Sequence, residues 1–259
     1  MNIRIVLYLW LLLILFRSFP IFGETISLAI AAWPPYYSQQ PPYGLHAQLL
    51  TKLLAPENID INFVWYPDWK AAISTSRAGR HHGTPSWICT PENAQDFIIT
   101  NPVFVDNIAL MYLKDEPLEW HNLADLKSLG PFGVTKSYTY SLDFQHAIRR
   151  YNLKLHEVRK DELLFNLLLK KRVKAALFSE KNGKVLLSQL PPRKQQLFEF
   201  HPQPIAQSFF HILISKKAQG SKQLADKINR QIKAQAYLLA KVINKTNRFK
   251  LCPFLQEQH

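Results

Sequence analysis

The order of predicted strands and helices indicates an α/β protein built from two lobes. Residues 25–31, 45–54, 59–65 and 69–78 are predicted to form in turn a strand, a helix, a strand and a helix. This alternation is typical of a mostly parallel sheet covered by helices. A second series of similar length occupies residues 133–200, and two such series in one chain predict two lobes.

The first series is predicted from local patterns. Residues 25–31 are a short apolar run, as in a buried strand, and residues 59–65 alternate between apolar and polar side chains. Gly79 follows residues 69–78 as a glycine that ends a helix. The helix over residues 45–54 has one apolar face, formed by Leu45, Leu49, Leu50, Leu53 and Leu54.

The second series follows the same patterns. Its predicted strands are 133–134, 154–158, 175–178 and 197–200, and its predicted helices are 138–151, 161–171 and 181–190. Apolar strands at 103–113 and 208–215 would carry the chain between the lobes, before a last helix within 221–244. A cleft between two lobes is the default binding site, because a ligand there touches both lobes and can close them.

The N-terminus has the pattern of a signal peptide. The apolar run at residues 5–16 ends at Arg17 and is too short for a comfortable membrane span. We expect residues 1–23 to be a signal peptide cleaved near Gly23, with an uncleaved anchor as the alternative. No cysteine directly follows the run, so a lipoprotein anchor has no support, and the mature protein is expected in the periplasm.

The net charge of +13 is unevenly distributed. Residues 24–111 hold 4 basic and 7 acidic side chains, whereas residues 112–259 hold 26 basic and 12 acidic ones. A basic balance suits nucleic acid, an anionic membrane surface or an acidic solute. Export argues against nucleic acid as a partner, and the basic residues are scattered along predicted helices, which indicates a solvated helix face.

The segment from Gly79 to Pro102 combines a turn, Trp87, a helix start and a strand at 97–100. Thr90 suits the N-cap position and Pro91 the first helical position. Such a loop brings side chains and free backbone N–H groups to one point, as in small-molecule clefts. An ordinary strand–turn–helix corner is the alternative.

The order of several motifs resembles that of the family 3 extracellular solute-binding proteins, the polar-amino-acid receptors of ABC transporters. The resemblance covers the mature chain, most strongly over 25–113, and the motifs are Trp33-Pro34-Pro35-Tyr36, Gly44, Trp69-Lys70-Ala71-Ala72, Trp87, Thr90-Pro91-Glu92-Asn93, Asp96-Phe97 and Asn101-Pro102. It implies a two-lobed periplasmic-binding-protein type II fold with two hinge strands. Residues 24–111 and 206–259 would form lobe 1, and residues 112–205 lobe 2.

The resemblance also bears on the two cysteines, Cys89 and Cys252. An exported protein can carry a single disulfide bond, and two buried thiols are the alternative. The implied lobe bounds place both cysteines in lobe 1, which favours the bond. The family further implies a monomer that captures a small polar solute and delivers it to an inner-membrane ABC permease or to a sensor.

Two departures from the family pattern concern the ligand. Asn93 stands where the amino-acid receptors carry an arginine that clamps the ligand carboxylate through a bidentate pair. Ser179 stands where they carry an aspartate that holds the ligand ammonium. In the preceding turn, His82 replaces a frequent aspartate. Because both ends of the amino-acid clamp differ, we expect a ligand other than a standard amino acid, or one held in another way.

The candidate ligand contacts are aromatic and hydroxyl side chains. Rings that follow a strand end can sandwich a flat or apolar ligand part, although packing in the lobe core is the alternative. Hydroxyl and amide groups near a helix start suit a neutral polar group or an anion. The candidates are Trp33, Tyr36, Tyr37, Ser86, Trp87, Thr90, Asn93, Ser137, Thr139 and Ser179, with Trp69 assigned to the core.

Other chemistry has little support in the sequence. His81 and His82 adjoin each other, but adjacent residues rarely ligate one ion and no third ligand matches them. No catalytic triad, carboxylate pair, phosphate loop or cofactor motif stands out. We therefore expect no cofactor and no enzyme. The alternatives are an orphan sensory or accessory protein and a dehydratase-like enzyme that uses Glu92 and Lys136 as acid and base.

Overall fold

The computed structural model describes residues 23–136 and 138–235 and confirms the predicted two-lobed α/β fold. In chain order the strands are β1 (Glu24–Ala31), β2 (Ile59–Tyr66), β3 (Gly83–Trp87), β4 (Phe97–Ile99), β5 (Phe104–Leu113), β6 (Phe132–Thr135), β7 (Leu155–Val158), β8 (Ala175–Ser179), β9 (Phe198–Phe200) and β10 (Ala206–Ser215). The helices are α1 (Leu45–Leu54), α2 (Trp69–Arg77), α3 (Pro91–Asp96), α4 (Leu126–Leu129), α5 (Leu142–Tyr151), α6 (Glu162–Leu169), α7 (Glu180–Ser188), α8 (Pro192–Gln195) and α9 (Ser221–Ala234).

Lobe 1 is built on strands β2, β1 and β3. Strand β1 pairs in parallel with both β2 and β3, and β10 pairs antiparallel with β3 and β4. Helix α1 buries Leu50, Leu53 and Leu54 in the same core as Ile26 and Leu28 of β1. Each such side chain contributes roughly 1.5–3 kcal/mol when it leaves water. The apolar stripe predicted for α1 is thus confirmed at Leu49, Leu50, Leu53 and Leu54, and wrong at Leu45, which is 53% exposed at the start of the helix.

Lobe 2 repeats the plan with β7, β6 and β8. These three strands are parallel, and β5 pairs antiparallel with β8 and with β9. Two cores flank the sheet, one containing Phe132 and Phe144 and the other Phe165 and Phe178. Both lobes therefore bury helices against a short parallel sheet.

Strands β5 and β10 connect the lobes. Residues 206–210 of β10 pair with residues 104–108 of β5, and the rest of β10 continues into the sheet of lobe 1. The rest of β5 continues into the sheet of lobe 2. This agrees with the two predicted crossings, although β10 begins at Ala206, two residues before the prediction. The predicted lobe bounds at 111/112 and 205/206 stay a prediction.

Most predicted elements are confirmed within a few residues, and one helix start is wrong. Helix α5 begins at Leu142 instead of 138, because Ser141 accepts a hydrogen bond from the backbone N–H of Phe144 and caps the helix. Tyr138 and Tyr140 lie in the loop before it. The last predicted helix is confirmed as α9 up to Ala234, and its remainder lies outside the described residues.

Candidate ligand-binding cleft between the lobes

A cavity lies between the lobes where the hinge strands cross. Lobe 1, lobe 2 and the hinge strands all contribute to its lining, and this lining contains no charged side chain within the described part of the chain. The lining residues are Trp33, Trp69, Ser86, Trp87, Ile88, Ile108, Tyr138, Thr139, Tyr140, Ser179 and Phe210. The cavity is therefore mostly aromatic and apolar, as many small-molecule sites are.

Three tryptophans form the lobe 1 wall. Trp33 follows β1, Trp69 opens α2 and Trp87 ends β3, so the strand ends and the helix start bring them to one edge of the sheet. The planes of Trp33 and Trp69 meet at 84°, and those of Trp69 and Trp87 at 80°, with ring centroids about 6 Å apart. These edge-to-face contacts are a favoured arrangement of aromatic rings.

The lobe 2 wall comes from the loop before α5 and from the end of β8. Tyr138, Thr139 and Tyr140 supply the loop part, and Ser179 the strand part. The ring of Tyr138 crosses the cleft to meet Trp33 at 65°, with ring centroids 6.3 Å apart. This contact joins the two lobes directly.

Two polar groups of the lobe 1 wall, those of Ser86 and Trp87, are hydrogen-bonded inside the lobe. The hydroxyl of Ser86 shares a 2.8 Å hydrogen bond with the buried hydroxyl of Tyr37, and Trp87 Nε1 donates to Thr84 Oγ1 at 3.0 Å. Trp33 Nε1 is buried and has no hydrogen-bond partner among the described residues. The wall thus presents mainly ring surface to the cavity.

The tyrosine hydroxyls of lobe 2 are likewise used internally. Tyr138 donates to Asp161 Oδ2 at 3.3 Å, and the hydroxyl of Tyr140 accepts from the backbone N–H of Thr135 at 2.6 Å. Asp161 also accepts from Thr135 Oγ1 and from the side-chain amide of Asn182. Burial raises the pKa of Asp161 to about 6, since its charged form loses water.

A buried carboxylate lies directly behind the cavity. Asp106 of β5 is 5% exposed and accepts hydrogen bonds from Ser179 Oγ and, at 2.6 Å, from Tyr36 OH. Its other oxygen accepts from the backbone N–H of Asn107. Burial raises the pKa of Asp106 above its usual range, and these hydrogen bonds oppose the shift. The carboxylate links Tyr36 of lobe 1 to Ser179 of lobe 2.

A stack of rings supports this corner. His46 lies between Tyr36 and Phe104, with ring centroids 4.0 Å and 3.3 Å away, and Phe104 stacks in turn on Phe210 of the cavity lining. Burial lowers the pKa of His46 well below its ordinary value, so the ring is neutral at pH 7. The stack fixes Tyr36, and through it Asp106.

Ser86 has an unusual backbone conformation for a residue of the cavity wall. Its φ of +72° lies in the left-handed region, which costs free energy for any residue with a side chain. The pairing register between β3 and β10 shifts at His211/Ile212, opposite this position. The bend turns the end of β3, with Trp87, towards the cleft.

Two grooves adjoin the cavity. The first, here the Asn93 groove, shares Trp87 and Thr139 with the cavity, and the second, here the Lys136 groove, shares Trp33, Trp69 and Tyr138. The charged residues of the Asn93 groove are Lys70, Arg77, Arg149 and Glu92; those of the Lys136 groove are Lys70, Lys136, Arg159, Lys160, Asp68, Asp161 and Glu162. Both grooves carry more basic than acidic side chains, which attracts anionic groups.

The nine predicted contacts within the described residues divide into three groups. Trp33, Ser86, Trp87, Thr139 and Ser179 line the cavity. Their contact with a ligand stays a prediction.

Tyr36 and Tyr37 lie elsewhere. Both rings are buried in the core of lobe 1, and their hydroxyls bond to Asp106 and Ser86. Tyr37 is bonded to Ser86 of the cavity lining, and Tyr36 is linked through Asp106 to Ser179 of the lining. Any influence of the two tyrosines on a ligand would therefore be indirect.

Thr90 and Asn93 line the Asn93 groove. Thr90 caps α3 by accepting from the backbone N–H of Asn93, as the sequence predicts. The Asn93 side-chain amide donates to the backbone carbonyl of Ile88 at 3.3 Å. It therefore braces the cavity wall at Ile88.

Some predictions lie outside the described residues, namely Ser137, Cys252 and the signal peptide over residues 1–22. Cys89 is buried, and its bond to Cys252 stays a prediction. His81 and His82 have separate partners, Tyr66 and Ser27.

Sequence reasoning missed four features of the site. Trp69, assigned to the core, also lines the cavity, and Tyr138, Tyr140 and Asp106 were not singled out. Tyr138 and Tyr140 flank Thr139, which the sequence predicts as a ligand contact. Their position beside a predicted contact is a signal in the sequence for both tyrosines. Asp106 had none, because its partners are 70 and 73 residues away in the sequence.

Comparison with known proteins shows the fold. No protein-family model and no curated protein matches the sequence. A histidine kinase sensor domain with similarity to periplasmic binding proteins superposes with a TM-score of 0.68 at 15% identity, covering 87% of this chain and 97% of that one. An ancestral arginine-binding protein bound to arginine gives 0.68 at 17% identity, covering 86% and 98%.

An arginine transport-system periplasmic binding protein from Legionella pneumophila gives a TM-score of 0.65 at 16% identity, covering 86% of this chain and 99% of that one. The chain therefore has the two-lobed fold of the type II periplasmic binding proteins. In the part that the structure describes, no helix is long and apolar enough to cross a membrane.

Proposed function

We propose that this protein is an exported receptor that captures a small polar solute between its lobes, with residues 24–111 and 206–259 forming lobe 1 and residues 112–205 lobe 2. The observation that carries the proposal is the cavity at the hinge, whose walls come from both lobes and from both connecting strands. A ligand in such a place favours the closed form, because it gains contacts with lobe 2 only when the lobes meet.

The site of this receptor is atypical for an amino-acid ligand. An amino acid would bring a carboxylate and an ammonium group, and burying either without a charged partner is costly. Asn93 is neutral and bonded to Ile88, and Ser179 is bonded to Asp106. The proposed ligand is therefore recognised mainly by aromatic surface and not by the arginine–aspartate clamp.

Two destinations for the ligand are compatible with this fold. Delivery to an ABC permease is the first, and the likeness to a transport-system periplasmic binding protein favours it. The likeness to a histidine kinase sensor domain favours a second candidate, a sensory or accessory protein that reports the ligand to a membrane partner. A pull-down from native membranes with the ligand-loaded protein separates them, since a permease or a kinase would be captured.

An enzyme on this fold is the weakest alternative. In that alternative, Glu92 and Lys136 are the candidates for an acid or base. Glu92 lines the Asn93 groove, and Lys136 lines the Lys136 groove. Neither side chain lines the cavity, which disfavours either one as an acid or base on a substrate held there. Turnover of a cyclohexadienyl acid by the purified protein would overturn this view.

The test of the receptor proposal is native mass spectrometry of the purified mature protein, followed by thermal shift against a solute library. We expect a co-purifying small molecule and at least one stabilising solute, because a ligand at 100 times its Kd stabilises by about 2.7 kcal/mol. The standard amino acids should give no shift. Absence of any bound or stabilising solute contradicts the proposal.

Asn93→Arg tests the atypical clamp, with Asn62→Arg on the exposed side of β2 as a matched control for added charge. The native solute should bind more weakly to Asn93→Arg and unchanged to the control. If the unaltered protein binds amino acids tightly and Asn93→Arg weakens them, our interpretation of Asn93 is wrong.

A further inference from the structure

The cavity offers little hydrogen bonding to a ligand. Of its polar side chains, Ser86 and Ser179 are bonded to Tyr37 and Asp106, and the tyrosine hydroxyls are bonded within lobe 2. Trp33 Nε1 is a buried donor without a partner among the described residues, which leaves the cavity one N–H for a ligand but no acceptor of that kind. A primary ammonium or a carboxylate would lose its water here without full replacement. A group that needs no hydrogen bonds, either an apolar one or a fully alkylated cation, avoids this loss.

The ring geometry distinguishes these two groups. A flat aromatic ligand is best held between parallel walls, whereas the walls here meet at 84°, 80° and 65°. Adjacent walls at such angles form a box, which suits a rounded group. Boxes of aromatic rings bind quaternary ammonium groups, because each ring face carries negative charge density.

Charge favours the cation over a neutral group of the same shape. Asp106 lies one side chain behind the cavity, hydrogen-bonded to the lining residue Ser179. It is buried, and among the described residues no cationic side chain forms an ion pair with it. Lys181 favours the charged form of Asp106 without forming an ion pair with it, and a cation in the cavity would add a second counter-charge.

The size of the cavity agrees with a compact head group. Its volume is about 50 Å³, more than the roughly 10–15 Å³ that one water needs, so a compact group of a few heavy atoms fits. A trimethylammonium group with its attached carbon has five. The rest of the ligand would extend into the adjoining grooves, whose basic side chains suit an acidic tail.

From these observations we infer that the ligand is a methylated ammonium compound, held with its cationic head in the tryptophan–tyrosine box and its acidic group at a basic groove. This rests on the proposed receptor function and names its ligand class. The zwitterion combines both charges, which explains how an uncharged cavity can be flanked by basic grooves.

Isothermal titration with three probes of matched shape tests the inference. Glycine betaine carries the methylated ammonium and a carboxylate, 3,3-dimethylbutanoate replaces its nitrogen by carbon, and glycine lacks the methyl groups. Glycine betaine should bind at least tenfold more tightly than either analogue. Equal binding of 3,3-dimethylbutanoate would show that charge is not recognised, and tighter binding of benzoate would show a site for flat rings; either result overturns the inference.

Substitutions then show which side chains recognise the ligand. Trp69→Leu should weaken glycine betaine at least tenfold, and Asp106→Asn should reduce the preference for glycine betaine over 3,3-dimethylbutanoate. Trp65→Phe, on β2 and outside the cavity lining, is the control and should change neither. The comparison of probes on the unaltered protein needs no variant, so a folding defect in Trp69→Leu leaves the test intact.

The receptor proposal and this inference fail in different ways. If none of the three probes binds but native mass spectrometry finds another solute, the ligand class is wrong and the receptor function stands. If neither the probes nor any library solute binds, both are wrong.

Discussion

The two lobes share one plan of a parallel sheet and covering helices, but among the described residues only lobe 1 buries histidines. Lobe 1 with its connecting strands buries the neutral imidazoles of His46 and His211 together with Asp106, whereas lobe 2 buries the carboxyl group of Asp161 without a histidine. The cavity walls differ too, with tryptophans on one side and tyrosines on the other. The same scaffold thus tolerates different interiors, and the lobes should respond differently to substitution and to pH.

The largest difference is expected at glycines that pack closely. Gly44 of lobe 1 has a φ of +98°, and an added Cβ would lie 2.3 Å from the backbone oxygen of Tyr36. At Gly183 of lobe 2 the added atom meets side chains, Phe178 Cβ at 2.9 Å and Phe200 Cζ at 2.7 Å. The far end of the Phe200 ring can shift, although Phe178 Cβ moves only with its strand, whereas at Gly44 all three close atoms belong to the loop backbone, which is held by hydrogen bonds to Trp33 and His46.

Gly44→Ala should therefore lower the free energy of unfolding by roughly 3–5 kcal/mol. Gly183→Ala should cost about 1–2 kcal/mol, because overpacking is partly offset by the better helix propensity of alanine. Urea denaturation measures both. Gly220→Ala, whose added Cβ meets nothing within 4 Å, is the control for a positive φ alone. If Gly44→Ala and Gly220→Ala lower the free energy of unfolding by the same amount, the steric argument is wrong.

The second prediction uses pH to separate the lobes. Burial lowers the pKa of His211 to about 4 from its ordinary 6.5. Because the unfolded chain then binds more protons, stability is full above pH 6.5 and falls as the pH drops towards 4. Asp161 has the opposite sign: its pKa rises from 3.8 to about 6, so stability is full below pH 3.8 and falls as the pH rises to 6.

Each group should change the free energy of unfolding by about 3 kcal/mol across its window. Urea denaturation between pH 4 and 7 measures the slopes. His211→Gln should reduce the loss of stability in acid, to which buried His46 still contributes, whereas Asp161→Asn should steepen the gain in stability with rising pH. If the pH dependence of the free energy of unfolding is unchanged in both variants, the assignment of these effects to His211 and Asp161 is wrong.

The third prediction compares two buried tyrosines that follow each other in lobe 1. Tyr36 donates to the carboxylate of Asp106, and Tyr37 shares its bond with the hydroxyl of Ser86. Tyr36→Phe should cost roughly 1.5–3 kcal/mol, as for a bond to a charged group, and Tyr37→Phe about 1 kcal/mol. Thermal or urea unfolding ranks them. A larger loss in Tyr37→Phe would mean that Asp106 is neutral in the folded protein.

The sequence predicted what depends on near neighbours. Helix α1 follows from its leucine stripe, and the cap at Thr90 from the residues after it. The Asp106 network joins residues 70 or more positions apart, so no local pattern announces it. Trp69 was ambiguous for another reason: its ring both packs in the lobe 1 core and lines the cavity. The spacing of apolar residues along the sequence predicts which side chains are buried. It does not show which of the buried faces borders a cleft.

The smallest effect concerns two helix caps, one in each lobe. Thr90 and Ser141 accept hydrogen bonds from the third residue of their helices at 3.1 and 3.0 Å. Thr90→Ala and Ser141→Ala should each lower the free energy of unfolding by about 1 kcal/mol.

The two caps should differ in their effect on the cavity. Only Ser141 directly follows the cavity loop, and it fixes where α5 starts and hence where Tyr138 and Tyr140 lie. Ser141→Ala should therefore weaken ligand binding more than Thr90→Ala, because Thr90 lines only the adjoining Asn93 groove and not the cavity. Titration of both variants with the co-purifying solute checks this, and equal binding by the two would show that the cap does not position the lobe 2 wall.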